Sequence, residues 1–298
     1  MTDQIEELLI YLEGLDELSS SSKRQAVSLL RGWLDSQTCR ELVDNDEIPS
    51  QFDIVGESAV MQNIFQLLSK LTRADIPVLV LGESGTGKEL IAKALHKYSP
   101  RRKKKLIAVN CAAIPANLLE AEIFGHVKGS FTGAHKDRLG YAEAADGGVL
   151  FLDEIGEIAY ELQAKMLRFL QDGEIRAVGS NVTKKVNVRV IAATNCDLLG
   201  QVKAGKFRED LYYRLAVFTL SLPALREREG DVPHLVNFFL NQQQANSMPS
   251  AEISSAALET LAKGQWPGNI RQLQNELLRA ATFASNGVIE VTDLSENL

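Results

Sequence analysis

The feature that most constrains the fold of this chain is a glycine-rich loop between a short apolar run and a helical pattern. The run, residues 77–81, reads Pro-Val-Leu-Val-Leu and is typical of a buried parallel strand. The loop has glycines at positions 82, 85 and 87 and ends in Lys88, and a helix is predicted over residues 90–98. Such glycines let backbone amides turn inward around phosphate oxygens, with the lysine ammonium and the helix N-terminus beside them. The loop therefore predicts a nucleotide phosphate site.

Strand and helix patterns alternate around this loop. A helix is predicted over residues 61–71, and further strands over residues 106–109, 148–152 and 188–193. This alternation predicts an α/β fold with an open, mostly parallel sheet flanked by helices, and with its site beyond the carboxyl ends of the strands. After Pro223 only helical patterns follow, so we expect a small, all-helical second domain. The predicted division is residues 1–50 as a short helical segment and linker, 51–224 as the α/β domain and 225–298 as the helical domain.

Charge and cysteine content exclude several classes of protein. The 298 residues carry a formal net charge of −7, which opposes non-specific binding to nucleic acid. The basic run at residues 101–105 is either a nucleic-acid patch or a solvated connection, and its place between a helix and a strand favours the connection. Three cysteines without a C-x-x-C spacing predict neither disulfides nor a zinc site. The acidic N-terminus and the lack of a long apolar run predict a cytoplasmic protein without a membrane partner.

An acidic pair follows the strand predicted at residues 148–152. Asp153 and Glu154 would lie beside the phosphate loop, where one carboxylate can join a Mg²⁺ shell and the other can orient an attacking water. Glu89 occupies the position where a phosphate loop usually has a Mg²⁺-binding hydroxyl, so we assign the metal to Asp153, largely through water, and the attacking water to Glu154. The alternative for an isolated acidic pair is a solvated turn.

The strand predicted at residues 188–193 delivers Thr194 and Asn195 to the same edge of the sheet. Short polar side chains at that edge can sense a γ-phosphate or the attacking water. The alternative is an asparagine that only serves a turn.

With these elements in order, residues 52–290 resemble the AAA+ central domain of bacterial enhancer-binding proteins, the activators of sigma-54 RNA polymerase. The most specific part of the resemblance is a segment that closely matches that family's G-A-F-T-G-A signature, with serine in place of the first alanine. We call this segment the contact loop; its residues are Gly129, Ser130, Phe131, Thr132, Gly133 and Ala134. The two glycines permit an extended tip with Phe131 and Thr132 exposed, which is costly unless a partner docks there. The alternative is a hairpin with Phe131 folded back into the core.

The resemblance also implies roles for residues of the nucleotide site. The Walker A motif, here called the phosphate loop, is Gly82, Glu83, Ser84, Gly85, Thr86, Gly87, Lys88 and Glu89, and its final glutamate belongs to the family pattern. Residues 147–154 match Walker B, and Asn110 matches the asparagine that pairs with the Walker B glutamate. Thr194 and Asn195 match sensor I.

Three arginines receive roles from the same resemblance. Arg208 and Arg214 match the arginine fingers that reach the ATP of a neighbouring subunit, and Arg271 in the motif at residues 266–271 matches sensor II of the lid. A planar cation against the γ-phosphate stabilises the charge that develops there, but only a neighbouring subunit can supply it, so a ring is implied. The alternatives are surface pairing of the first two with Glu209 and Asp210, and an ordinary helix-face cation for Arg271.

The resemblance therefore implies an AAA+ P-loop ATPase that uses ATP and Mg²⁺ in the bacterial cytoplasm. Its expected partners are its own copies, in a ring of six or seven, and the sigma-54 RNA polymerase holoenzyme, which it would remodel to activate transcription. We expect DNA contact only through a domain absent from this chain, since the sequence leaves no room for a DNA reader after the lid. The alternatives are a nucleotide-gated assembly protein with low turnover and a different AAA+ remodeller.

Overall fold

The computed structural model describes residues 52–131, 133–247, 249, 251–284 and 287–295. The predictions for residues 1–50 and for Thr132 lie outside the described residues.

The α/β part contains a sheet whose strands are joined by helices, as the alternating pattern predicts. The strands of the α/β part are β1 Val78–Leu81, β2 Leu106–Asn110, β3 Gly125–His126, β4 Arg138–Leu139, β5 Val149–Asp153, β6 Glu174–Arg176, β7 Thr183–Lys185, β8 Arg189–Thr194 and β9 Phe218–Ser221. Its helices are α1 Ala59–Leu71, α2 Lys88–Lys97, α3 Ala116–Phe124, α4 Tyr141–Ala144, α5 Tyr160–Asp172, α6 Leu198–Lys203 and α7 Glu209–Leu215.

The main sheet has five strands in the order β2-β5-β8-β1-β9, and all its pairings are parallel. Successive residues of a strand face opposite sides of the sheet, so Val149 and Phe151 of β5 pack in one apolar cluster while Leu150 and Leu152 pack in the other. All four are buried, which explains why the strand reads as a continuous apolar run rather than an alternating one. The predicted parallel sheet flanked by helices is confirmed.

Strand β9 is absent from the sequence predictions. It lies at the edge of the sheet beside β1, and its burial is uneven because Thr219 and Ser221 are exposed while Leu220 is buried. An edge strand of four residues with only one fully buried side chain carries a weak periodic signal.

The second part is a small helical lid with its own apolar core. Its elements are α8 Asp231–Ala245, β10 Glu252–Ile253, α9 Ser255–Ala262, α10 Asn269–Phe283 and β11 Val288–Ile289. Trp266 is almost fully buried in this core, and its indole nitrogen donates to the carbonyl of Leu261 at 2.9 Å. The helical lid is as predicted, and the two-residue parallel pair β10 and β11 is an addition that the helical patterns did not predict.

In the basic run, Arg101 has a structural role and the lysines are exposed. The guanidinium of Arg101 donates to both carboxylate oxygens of Asp75 at 2.6 and 2.9 Å and to the carbonyls of Gly148 and Asn187 at 2.9 Å each. The lysines at positions 103–105 are exposed, as a solvated connection requires. Arg101 therefore ties the connection to the edge of the sheet that lies opposite the phosphate loop. Among the described residues, none of the helices has the length and apolar character needed to cross a membrane.

Candidate nucleotide site

The phosphate loop joins β1 to α2 and has the backbone shape that the glycines predict. Gly85 and Gly87 have φ angles of 79° and 100°, a region that residues with a side chain rarely adopt. Lys88 is the first residue of α2 and is buried, with 7% of its surface exposed. Its ammonium donates to the carbonyls of Gly82 at 2.9 Å and Glu83 at 3.4 Å. The loop thus wraps around the buried ammonium of Lys88 at a helix N-terminus, which suits phosphate oxygens.

The acidic pair lies directly beside this cation. Asp153 is the last residue of β5, and Glu154 follows it with a left-handed φ of 52°. One carboxylate oxygen of Glu154 lies 3.6 Å from the Lys88 Nζ, and the other accepts the backbone amide of Asn195 at 3.2 Å. The strand ends therefore bring together the phosphate loop, the acidic pair and the residues after β8, as the parallel sheet predicts.

The electrostatics of the pair fit a divalent cation. Burial, followed by the adjacent charge of Glu154, raises the pKa of Asp153 above its ordinary value, while the nearby Lys88 lowers it. A carboxylate that is costly to ionise because of burial and a like charge is stabilised when a cation binds. Mg²⁺ also needs only one or two protein carboxylates, because water and phosphate oxygens complete its shell. Asp153 therefore fits the Mg²⁺ role, with no larger metal-binding cluster among the described residues.

Two further phosphate-loop residues, Thr86 and Glu89, make side-chain contacts in the loop and in α2. The Thr86 hydroxyl donates to the carbonyl of Glu83 at 2.8 Å, and Thr86 is buried. The carboxylate of Glu89 pairs with Lys93, one helical turn further along α2, at 2.8 Å, and both side chains are exposed. In this structure Glu89 is thus part of the exposed surface of α2.

Asn110 lies next to Asp153 in the register of β2 and β5. Its side-chain oxygen accepts the amides of Ala112 at 3.0 Å and Ala113 at 3.1 Å, so it closes the turn after β2. Within the described residues no hydrogen bond joins Asn110 to Glu154, and their pairing stays a prediction.

The residues after β8 differ from one another in burial. Thr194 is fully buried, its hydroxyl accepts the amide of Cys196 at 3.0 Å, and its carbonyl accepts the amide of Gly82 at 3.3 Å. Asn195 is exposed and reaches Glu154 through its backbone. The sensor I position is therefore hydrogen-bonded to both the phosphate loop and the acidic pair.

Cys111 follows β2, and its amide donates to the carbonyl of Asp153 at 2.9 Å. Burial raises the pKa of its thiol to about 12.

The two arginine-finger candidates contact other parts of the α/β domain. Arg208 forms a two-point ion pair with Asp210, at 2.6 and 3.0 Å, which is the surface pairing considered as the alternative. Arg214 donates to the carbonyls of Leu170 at 2.9 Å and Gln171 at 3.3 Å, near the C-terminus of α5. Neither contacts the phosphate loop of its own chain within the described residues, and their role as fingers stays a prediction.

Lid residues bond directly to the phosphate loop. Arg271, the sensor II candidate, donates to the Ser84 hydroxyl at 3.3 Å. Sequence reasoning missed three stronger partners, Arg226, Arg228 and Asn269, which bond to the side chain or backbone of loop residues. The hydrogen bonds to Arg226, and next those to Asn269, lower the pKa of Glu83 to about 2. Asn269 lies within the lid motif at residues 266–271, which makes it a recognisable candidate, whereas Arg226 and Arg228 lie in a charged stretch that is typical of solvated surface.

The contact loop is more compact than the exposed tip predicted for it. Gly129 and Gly133 have φ angles of 81° and 103°, and the Gly129 amide donates to the carbonyl of Ala134 at 2.9 Å, which closes the turn. Phe131 is half-buried, and its ring meets the ring of His126 edge to face at a centroid distance of 4.9 Å. An aromatic contact of this kind covers apolar surface that would otherwise face water. The expectation of a fully exposed Phe131 is therefore wrong for this structure, although the side chain is not part of the core.

The contact loop lies against the hairpin of β6 and β7 rather than against the nucleotide site. The Val127 amide donates to the carbonyl of Val178 at 3.1 Å, and a Cβ built on Gly179 would lie only 2.7 Å from the Cβ of Ser130. A cavity of about 380 Å³ lies beside this hairpin and is lined in part by Lys165 and Arg168 of α5. It shares no lining residue with the phosphate loop.

Two protein-family models match this chain, one over the α/β part and one over the lid. The family model of the sigma-54 interaction domain matches residues 54–221, and that of the AAA+ ATPase lid domain matches residues 226–298.

Curated relatives agree with these families. The chain is 50% identical over 236 residues to the Nif-specific regulatory protein of Azotobacter vinelandii, a match that covers 79% of this chain and 45% of the relative. It is 46% identical over 268 residues to the DNA-binding transcriptional regulator NtrC of Azospirillum brasilense, covering 89% of this chain and 56% of the relative. The chain thus spans about half the length of the curated relatives it matches.

Solved structures share the fold. The crystal structure of NtrX from Brucella abortus in complex with ATP matches with a TM-score of 0.75 and 30% identity, over 95% of this chain and 64% of that one. The same protein in complex with ADP matches with a TM-score of 0.75 and 31% identity, over 94% of this chain and 61% of that one.

Proposed function

Since the chain belongs to the sigma-54 interaction domain family and carries an AAA+ lid, we propose that it is an ATP-hydrolysing ring motor that remodels the sigma-54 RNA polymerase holoenzyme. The observation that carries the proposal is the convergence of Lys88, Asp153 and Glu154 at one edge of the sheet. The ring of six or seven subunits, the bacterial cytoplasm and the division of the chain at residues 224 and 225 are parts of the same proposal.

Hydrolysis needs few groups, and each has a candidate here. Phosphoryl transfer depends on positioning and on cations that stabilise the charge of the leaving and transferred oxygens. Lys88 would bind the phosphate oxygens, and a Mg²⁺ ion held by Asp153 would neutralise charge between them. Glu154, whose carboxylate is already within ion-pair distance of Lys88, would orient the attacking water. Thr194, Asn195 and Arg271 would sense the γ-phosphate from the sheet and the lid.

Completion of the site requires a neighbouring subunit. Arg208 would release Asp210 to reach the ATP of the next subunit, and Arg214 would act beside it. The exchange is modest in cost, because the ion pair of Arg208 and Asp210 is exposed and solvent screens it. Asn110 would bond to Glu154 in one state of the cycle and to its own turn in another.

Coupling to the polymerase would occur through the contact loop. Phe131 lies outside the buried apolar clusters and its ring contacts that of His126, so a docking partner can take the place of that contact. The glycines at both ends of the loop allow it to change shape. Thr132 and the backbone of the loop would then present the remaining contact surface to sigma-54.

Two variants separate the ATPase from the coupling. In Lys88→Ala we expect nucleotide binding and hydrolysis to be lost, because the only buried cation of the phosphate loop is removed. In Phe131→Ala we expect ATP turnover at the wild-type rate but no activation of a sigma-54 promoter. Phe283→Ala is the matched control, since that ring is 66% exposed and lies in the lid. Activation that persists in Phe131→Ala contradicts the role of the contact loop, and wild-type turnover in Lys88→Ala contradicts the ATPase.

A further inference from the structure

Four consecutive residues of the phosphate loop, residues 83–86, each accept a hydrogen bond from the lid side of the molecule. The acceptors are the carboxylate of Glu83 and the backbone carbonyls of Ser84, Gly85 and Thr86. These contacts outnumber the one that the sensor II candidate Arg271 makes with the phosphate loop. It lies on the outer side of a loop whose inner side is formed by amides and Lys88.

The first of these contacts is a two-point ion pair. Arg226 donates to both carboxylate oxygens of Glu83, at 2.6 and 2.9 Å, with the planar geometry that arginine and carboxylate share. The side chains are 39% and 44% exposed, so solvent screens the pair but does not replace it. Arg226 follows directly after the last segment of the sheet domain, where the lid begins.

Asn269 provides the second contact and is fixed more firmly. It is fully buried, and its amide nitrogen donates to the Glu83 carboxylate and to the carbonyl of Ser84, both at 3.0 Å. Its side-chain oxygen accepts the amide of Leu225 at 2.8 Å, so the side chain's orientation is set from the lid as well. Asn269 has a φ of 53°, a left-handed conformation that residues with a side chain adopt rarely and that persists where surrounding contacts maintain it.

The backbone makes the third and fourth contacts. The amide of Ile270 donates to the carbonyl of Gly85 at 3.0 Å, and Arg228, which is almost fully buried, donates to the carbonyl of Thr86 at 2.9 Å. Because these carbonyls point toward the lid, the loop amides are left to face the phosphate side. The lid therefore influences the shape of the anion-binding loop itself.

We propose that Arg226 and Asn269, acting through Glu83, are positioning residues that hold the phosphate loop in its nucleotide-binding shape. This inference rests on the proposed nucleotide-binding function. It assigns Glu83 a role on the lid side of the loop rather than direct contact with ATP. It also links the two parts of the motor, since any rotation of the lid that breaks these bonds changes the loop and releases nucleotide.

The test measures binding and release of a fluorescent ADP analogue with Mg²⁺ by the full chain. Arg226→Ala is expected to weaken affinity on the order of tenfold, mainly through faster dissociation, because the loop loses a charge-assisted two-point contact. Arg226→Lys restores the charge without the planar fork and should fall between Arg226→Ala and wild type. Glu83→Ala also removes the acceptor of Asn269, so it should weaken binding at least as much as Arg226→Ala. The double variant should be no weaker than Glu83→Ala alone, because the contact of Arg226 is already lost in that variant.

Arg279→Ala is the matched control. Arg279 pairs with Glu276 at 2.7 Å within α10, so its loss removes an ion pair of the lid without touching the phosphate loop. The melting temperature of each nucleotide-free variant reports whether the fold is retained, and Glu83→Gln, which keeps an acceptor for Asn269, provides a milder variant if Arg226→Ala unfolds.

The outcomes are distinguishable from failure of the proposed function. A wild-type chain that binds no nucleotide contradicts that function. A wild-type chain that binds nucleotide while Arg226→Ala and Glu83→Gln bind equally well overturns the positioning role alone. Additive losses in the double variant, or an equal loss in Arg279→Ala, also overturn it.

Discussion

Replacement of Gly85 by alanine tests the contact between the phosphate loop and the lid at its narrowest point. Gly85 has a φ of 79°, and a Cβ built there would lie 2.3 Å from the carbonyl oxygen of Gly268 and 3.1 Å from the Cβ of Arg271. A backbone oxygen cannot rotate away as a side chain can. The lid motif must therefore move when this methyl group is present.

The expected magnitude follows from two contributions. An alanine in the left-handed region costs roughly 1–2 kcal/mol. Movement of the lid breaks the bond from Ile270 to the Gly85 carbonyl, which contributes about 1 kcal/mol. The free energy of unfolding should thus fall by about 2–3 kcal/mol in Gly85→Ala. If the loss of about 1 kcal/mol of lid contact appears fully in nucleotide binding, the dissociation constant rises about fivefold.

Gly205→Ala separates strain from the clash. Gly205 has a φ of 69°, but a Cβ there would have no atom within 4 Å, so only the backbone cost of about 1–2 kcal/mol applies. Urea denaturation and titration with the fluorescent nucleotide are to be run on both variants. We expect Gly205→Ala to be destabilised with unchanged nucleotide affinity, and Gly85→Ala to lose both. Equal nucleotide affinity in the two variants would refute the reasoning.

Two further predictions concern stability and thiol reactivity. Arg101→Ala should lower the free energy of unfolding by about 2–3 kcal/mol, because several charge-assisted hydrogen bonds are lost. Lys103→Ala, on the exposed part of the same run, should change it by less than about 0.5 kcal/mol. Urea denaturation measures both values, and equal effects would contradict the structural role of the arginine. Since burial raises the pKa of Cys111 to about 12 and the thiolate is the reactive form, this thiol should stay unreactive toward a thiol reagent at pH 8 and react only as the pH approaches 12 or the protein unfolds. In a Cys39→Ser background, the half-buried Cys196 should react first. Mass spectrometry of the labelled peptides measures the two rates, and faster labelling of Cys111 would contradict the packing around β2.

The arrangement of the site at the sheet edge was predictable from sequence because local patterns decide it. Each parallel strand ends at the same edge, so a strand followed by a polar residue places that residue in the site. Asp153, Thr194 and the phosphate loop were located in this way, and the structure brings them together. Glu89 could be assigned only through the family resemblance, since a general phosphate loop has a hydroxyl there.

The contacts between the lid and the phosphate loop were not predictable by the same reasoning. Glu83 and Arg226 are separated by 143 residues, and their pairing depends on how the apolar core of the lid packs beside those of the α/β part. A local sequence pattern contains no information about that packing, so Arg226 is indistinguishable from a solvated charge by sequence alone. The half-buried position of Phe131 has a similar cause, because its partner His126 belongs to the other side of a turn whose shape the glycines leave open.

In the proposed motor, nucleotide bound at this site drives engagement of sigma-54. Native gel electrophoresis of the chain with purified sigma-54 and a transition-state analogue of ATP hydrolysis measures this coupling. We expect a slower-migrating complex that contains both proteins only when the analogue and Mg²⁺ are present, and no such complex with Phe131→Ala. A complex that forms equally well without nucleotide, or the absence of any complex while nucleotide binding is intact, would contradict the account.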